Sequence, residues 1–146
     1  LAEKEFPNWE LHCIGTGPLW NERLLSPHIV HHGFMQPEDL LAFMQSGNAF
    51  VLPSTFEPWG VAVHEFAAAG YPLILSDAVG AAEAFLETTK NGYLFQAGNI
   101  DALEDALRKM MSQSQAQLLE MGRHSRALAC SITPESWATS VAGMMR

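Results

Sequence analysis

Glu57 and Glu65 are the side chains best placed to do chemistry in this sequence. They stand eight residues apart in the stretch Pro53-Ser54-Thr55-Phe56-Glu57-Pro58-Trp59-Gly60-Val61-Ala62-Val63-His64-Glu65. That stretch leaves an apolar run, turns through proline and glycine, and enters a segment of helical period. Strand, loop and helix in this order form the place where open α/β sheets bind ligands. The amides of Gly60, Val61 and Ala62 fall where a helix begins. N–H groups there lack intrahelical acceptors, and the helix dipole favours an anion, a phosphate above all. Glu65, in the first turns, carries two acceptor oxygens, enough to hold a vicinal diol such as that of a ribose. The dipole also favours such a carboxylate with no ligand present, so the spacing alone is weak.

The other reactive residue types form no such arrangement. Cys13 and Cys130 are far apart, with no Cys-x-x-Cys or Cys/His spacing, and read as two buried thiols in a reducing compartment. His31 and His32 are adjacent on an expected strand, so they point to opposite faces and do not share a metal. His12, His28 and His124 belong to no recognisable cluster, and His64 faces away from its neighbour Glu65. No metal is expected. Ser54 lacks the Gly-x-Ser-x-Gly elbow of a hydrolase nucleophile. The Gly15, Gly17 turn has Trp20 where a dinucleotide fingerprint needs its third glycine.

Short apolar runs alternating with helical segments must position these residues, a pattern that signals a parallel sheet covered by helices. Strands are expected at Glu10–Gly15, His28–His32, Ala49–Pro53, Leu73–Ser76 and Tyr93–Phe95. Pro37 at a first helical position, with Glu38 and Asp39 behind it, predicts a helix over Pro37–Ser46. Gly60 opens the next, with Val61, His64 and Ala68 on related faces, and Gly70 with Pro72 stops it. Asn99 caps a helix over Ile100–Met111. Leu118, Met121, Ser125 and Leu128 repeat the spacing, and Thr133 with Pro134 starts a third C-terminal helix carrying Trp137, Val141 and Met144.

Composition sets the outer bounds. The 146 residues fit one domain, and 48% apolar against 16% charged residues excludes a disordered tail. Eight basic against sixteen acidic side chains give a net charge of −8, the wrong sign for nucleic acid or an anionic membrane. Near-apolar runs such as Ala49–Leu52 are far short of the roughly 20 residues that span a bilayer. The start at Leu1 shows neither an initiator methionine nor a signal pattern, so the chain is expected to be a piece of a longer protein.

With the elements in place, the Glu57–Glu65 stretch resembles the E-x7-E motif of the retaining GT-B glycosyltransferases, in particular the large family 4, group 1, which uses nucleotide sugars. The resemblance continues through Leu11-His12-Cys13-Ile14-Gly15-Thr16-Gly17-Pro18, Val30-His31-His32-Gly33-Phe34 and Phe50-Val51-Leu52-Pro53-Ser54. It goes on through Glu65-Phe66-Ala67-Ala68-Ala69-Gly70-Tyr71-Pro72, Ser76-Asp77-Ala78-Val79-Gly80 and Asn91-Gly92-Tyr93-Leu94-Phe95. Nearly the whole chain is covered in order. One departure stands out: where the family has two glycines, Gly80 is followed by Ala81, while Glu83 keeps the downstream acidic position as a helix-start carboxylate.

The resemblance implies a fold, a site and a reaction. The fold is a Rossmann-like open parallel sheet with helices on both faces, lacking its first strand and helix and ending in three helices. Residues 1–146 form a single partial domain, the C-terminal nucleotide-sugar-binding half. Glu65 would bind the donor ribose and Glu57, as the catalytic residue, hydroxyls of the transferred sugar. The amides from Trp59 through Gly60 and Val61 to Ala62 would meet sugar and diphosphate. The backbone of Met35 would meet the base, and Gly15 and Gly17 would let the chain approach the donor closely. The donor is substrate, and no cofactor or metal is implied.

The family places an Arg and Lys pair after the first strand of this domain. The basic residues nearest the motif here are Arg23 and Lys90. The basic loop and the whole N-terminal acceptor-binding domain are thus expected upstream of Leu1, and the fragment alone is expected to be inactive. The Trp137, Val141, Met144 stripe, uncovered without the other half, would offer a surface for a dimer. The implied location is cytoplasmic, with membrane association only through the missing half. Two other readings stay open: a non-catalytic nucleotide- or partner-binding domain of GT-B type, and a GT-B epimerase, phosphorylase or hydrolase.

Overall fold

The computed structural model of the chain describes residues 2–45, 47–133, 135, 138–139 and 142–143. The chain forms two compact units, Leu1–Ser46 and Gly47–Arg146.

The first unit opens with a short helix α1 (Ala2–Glu5) and contains the strands β1 (Leu11–Ile14) and β2 (Ile29–Gly33), followed by helix α2 (Pro37–Phe43). β1 and β2 pair in parallel, Leu11 opposite Ile29 and His12 opposite Val30, with a shift of register between Cys13 and Ile14. Gly15 ends β1 at φ +115°, a left-handed conformation that a residue with a Cβ rarely adopts. A 3-10 turn, Pro18–Glu22, follows, with proline at its start and Gly17 before it. α2 starts at Pro37 as expected and ends at Phe43, ahead of the expected Ser46: Met44 is its C-cap, its N–H bonded to the carbonyls of Ala42 and Leu40.

The second unit runs β3 (Phe50–Leu52), α3 (Val61–Ala68), β4 (Leu73–Ser76), α4 (Ala82–Phe85), β5 (Gly92–Phe95), α5 (Ile100–Met111) and α6 (Gln115–Ser131). Its strands pair in parallel in the order β3-β4-β5, with Phe50 opposite Leu73 and Leu73 opposite Gly92. All four residues of β4 are buried, as a central strand covered on both faces must be. The core of this unit gathers Val63, Ala67, Leu73, Leu75, Val79, Ala81, Phe85 and Ala129. Each fully buried Val, Leu or Phe there contributes about 1.5–3 kcal/mol of transfer free energy. The expected parallel pairing is present as two sheets, of two and of three strands, one in each unit.

The helix ends show why these segments are helical. Asn99 accepts from the amide of Ala102 and caps α5, whose bounds are those the sequence predicts. Ser114 and Gln117 form a reciprocal capping box at the start of α6, which buries Leu118, Met121, Ser125 and Ala129, while Leu128 is half-buried. α3 and α6 approach closely at Gly122, where a Cβ would be driven into the carbonyl oxygen of Gly70. Of the expected third C-terminal helix, residues 135, 138–139 and 142–143 are described and helical, while Pro134 and the apolar stripe Trp137, Val141 and Met144, proposed to pair two copies, lie outside the described residues.

Two expectations, on the cysteines and on His12, are corrected, and α3 shows which face it buries. The buried face of α3 is Val63, Phe66 and Ala67, while Val61 and Ala68 are exposed: β3 and the core take the 63, 66, 67 stripe, which leaves the opposite side to solvent. Cys13 is half-buried and Cys130 exposed on α6, so they are not two buried thiols; burial pushes the Cys13 thiol up. His12 is not isolated. Its Nδ1 lies 2.8 Å from Nε2 of His32, the rings stack, and Glu10 Oε2 lies 3.3 Å from its Nε2. This pairing joins β1 to β2, a cross-strand contact that spacing along one strand does not reveal. His31 does face the other way, toward Trp20 and the carbonyl of Leu24.

No helix among the described residues is long and apolar enough to cross a membrane, and no group of three or more His, Cys, Asp or Glu among them is arranged to hold a metal ion.

Candidate functional site

The site in the second unit is built on the loop between β3 and α3. Gly60, the N-cap of α3, has φ +97° and is buried, with Glu57, Val63 and Val79 closest to where its side chain would be. That left-handed turn aims the chain into the helix, and no side chain caps it. Val61 at the first helical position is exposed and Ala62 half-buried, so the start of α3 presents its uncapped first turn at the surface. The first carbonyl is used internally, Gly60 O accepting from Val63 N at 2.9 Å.

Glu57 is half-buried at the mouth of this turn, its stem against Gly60. Its backbone is held on both sides: Glu57 N–H donates to Ala78 O at 3.2 Å, and Glu57 O accepts from Gly80 N at 3.0 Å. Glu65 is exposed in the second turn of α3. Its neighbours in the chain face inward: Phe66 stacks on Phe50 at 4.2 Å, and His64 stacks on Phe85 at 4.5 Å with Nε2 against Ala129 O at 3.1 Å. One carboxylate thus stands on the loop before, and one in the second turn of, a helix whose start attracts anions. Phe56 and Trp59, on either side of Glu57 and Pro58, are exposed, Phe56 to 82%. Such aromatic faces suit the apolar side of a ring-shaped ligand. Phe56, unlike Trp59, was not among the expected site residues.

The remaining expected site residues, Gly15, Gly17 and Met35, lie in the first unit. Gly15 takes the left-handed turn described above. Gly17 is extended, at φ −176°, with nothing near the position of a Cβ. Met35, half-buried, follows the Gly33 turn at φ +72°.

The family model of the group 1 glycosyl transferases matches residues 1–127. The chain belongs to this family. A glycogen synthase of Mycobacterium tuberculosis is 32% identical over 108 residues, covering 73% of this chain and 25% of that protein. The group 1 chain therefore spans about a quarter of that relative's length. Two solved structures share its fold. Sucrose-phosphate synthase from Thermosynechococcus elongatus superposes with a TM-score of 0.76 at 24% identity, over 94% of this chain and 38% of that one. TarM of S. aureus, in a complex with Fondaparinux, alpha-GlcNAc-glycerol and UDP, superposes with a TM-score of 0.83 at 19% identity, over 97% of this chain and 30% of that one. The fold of this group 1 chain is accordingly the α/β, Rossmann-like fold of GT-B proteins.

Proposed function

We propose that this chain is the C-terminal, donor-binding half of a retaining hexosyltransferase, and that its ligand is a nucleotide diphosphate sugar. The observation that carries the reading is the uncapped start of α3 with Glu57 on its approach and Glu65 exposed one turn in. In this reading the amides of the first turn and the helix dipole hold the diphosphate. The Glu65 carboxylate accepts from two ribose hydroxyls. Glu57 accepts from hydroxyls of the transferred sugar, with the backbone from Trp59 to Ala62 alongside. Gly15, Gly17 and the backbone of Met35 contribute the donor's other contacts. Transfer breaks the bond between the sugar carbon and the diphosphate oxygen and forms one to an acceptor oxygen, whose proton is released. The donor is a substrate, and no cofactor is needed.

Four of the eight basic side chains have local partners: Lys90 pairs with Glu87 at 2.7 Å, Arg108 with Glu104 and Arg123 with Glu120 at 2.9 Å, and Arg23 lies over the Trp20 ring. Positive charge against the leaving diphosphate, and the acceptor site, come in this reading from the preceding part of the natural protein. The isolated 146 residues then bind weakly and transfer nothing measurable.

Incubating the full-length natural protein with uridine, adenosine and guanosine diphosphate hexoses and candidate acceptors tests this. The reading expects sugar transferred with its anomeric configuration kept. Donor epimerised, or cleaved by water or phosphate alone, would indicate a different enzyme on this fold, and no nucleotide binding at all would contradict it.

A further inference from the structure

The loop that carries Glu57 is fastened along its length to the segment leaving β4. Ser76, fully buried at the end of β4, donates its hydroxyl to the carbonyl of Ser54 at 2.5 Å. Glu57 N–H donates to Ala78 O at 3.2 Å, Gly80 N–H donates back to Glu57 O at 3.0 Å, and Ala81 N–H donates to Trp59 O at 2.7 Å. Glu57 and Val79 form a parallel bridge, so the pairing of β3 with β4 resumes beyond the strands, at the residue whose side chain matters.

This approach is so close that it dictates a residue type. A Cβ at position 80 would be driven into the carbonyl oxygen of Pro58 and would lie 3.0 Å from its carbonyl carbon. Both are backbone atoms, which cannot swing aside as a side chain does. Gly80 lies outside the left-handed region, so lack of space, and not its dihedral angles, requires glycine here. Ala81, where the family has a second glycine, is fully buried in the core, and its amide still closes the last bond of the series.

Resting on the donor-site reading above, we infer that Ser76 and Gly80 are positioning residues for Glu57: the 76–81 turn is a splint that fixes where the Glu57 carboxylate meets the transferred sugar. Glu65 stands a turn further on, in α3, although Val79 lies beside Gly60 at the helix start and shares a core with Val63 and Ala67. The splint, bonded directly to Glu57, therefore acts first on the sugar end of the donor and least on the nucleoside end, which Glu65 meets in this reading.

The test uses the full-length natural protein and its Gly80→Ala and Ser76→Ala variants. Affinity is measured for uridine, adenosine and guanosine diphosphates, and turnover at saturating concentrations of their hexose conjugates. Displacing Glu57 by a fraction of an ångström to an ångström is expected to lower kcat roughly ten- to a hundred-fold in Gly80→Ala, and about three- to ten-fold in Ser76→Ala, which adds no bulk. Affinity for the nucleoside diphosphate should stay within about three-fold of wild type in both. Glu65→Ala should show the opposite split. A folded Gly80→Ala enzyme with wild-type kcat overturns the inference, as does a parallel loss of nucleotide affinity and kcat in both variants. Should Gly80→Ala fail to fold, the same split in Ser76→Ala decides. If the wild type binds nucleotide and the variants turn over normally, this inference fails alone; if the wild type binds none of the nucleotides, the donor reading fails and takes it along.

Discussion

Glu57 and Glu65 stand on different kinds of backbone, and their variants should fail differently. Glu57 sits on a loop whose peptides are hydrogen-bonded to Ala78 and Gly80, so Glu57→Gln keeps that backbone and removes only the charge. If Glu57 meets the transferred sugar, kcat in the natural protein should fall by about a hundred-fold, with nucleotide affinity little changed, as separate assays of turnover and nucleoside diphosphate binding would show. A second residue-scale prediction concerns pH. Lys90 and then His124, both hydrogen-bonded to Glu87, hold its carboxyl below the ordinary range. A carboxylate lowered on folding stabilises the protein above its unfolded pKa, and that contribution is lost as pH falls through the lowered folded value. Acid titration of the thermal midpoint should therefore fall less steeply in Glu87→Gln than in wild type. At this scale the sequence was legible where one residue dictates local geometry, as Gly60 does at α3 and Asn99 at α5. It was not legible where contacts join distant segments: the His12–His32 pair and the Gly80–Pro58 approach depend on strand register, which spacing does not encode.

At the scale of elements, the β3–α3 unit works because its strand is short, its turn left-handed and its helix anchored on one side only. The helix in turn rests on α6, and Gly122 allows that contact. Helix propensity alone would make Gly122→Ala favourable by about 0.8–1 kcal/mol. Forcing a methyl into the Gly70 carbonyl should cost more, about 1–3 kcal/mol as an overpacked contact. The net expectation is a loss of stability, read as a lower urea midpoint with unchanged slope, and a gain would show that the helices separate at little cost. The sequence disclosed the elements that carry strong punctuation. α5 keeps its expected bounds and β4 its expected residues, because asparagine caps the one and the other is apolar throughout. α4 starts beside Glu83, the expected helix-start carboxylate, whereas the 3-10 turn at Pro18–Glu22 was not expected, being too short to show a period. Which side of α3 is buried was left open, because its alanines and valines make every face look apolar; packing against β3 and the core chose the 63, 66, 67 stripe.

For the whole molecule, family and fold were legible because many short segments occur in the right order along residues 1–127. Charge, at −8, is the one global property at odds with binding a diphosphate. The local field of a helix start acts within a turn, where the net charge of distant side chains is screened beyond roughly 8–10 Å. The proposal that further positive charge comes from the preceding part of the natural protein predicts an unequal partition of affinity. The 146-residue chain should bind nucleotide sugars at least about ten-fold more weakly than the full-length protein, and the difference should shrink in high salt, as paired titrations in 50 mM and 500 mM salt would reveal. Ligand binding should likewise raise the thermal midpoint of the full-length protein, by the equivalent of about 2.7 kcal/mol at a hundred-fold excess over Kd.

The most direct measurement is calorimetric titration of the full-length protein with uridine, adenosine and guanosine diphosphates, comparing wild type with Glu65→Ala. The exposed position of Glu65 on α3 means that the variant should keep its thermal midpoint. Saturable binding of at least one nucleotide by wild type, weakened roughly ten-fold or more in the variant, is the predicted result. Equal affinity in the two proteins, or no binding by either, would contradict a nucleotide site at the start of α3.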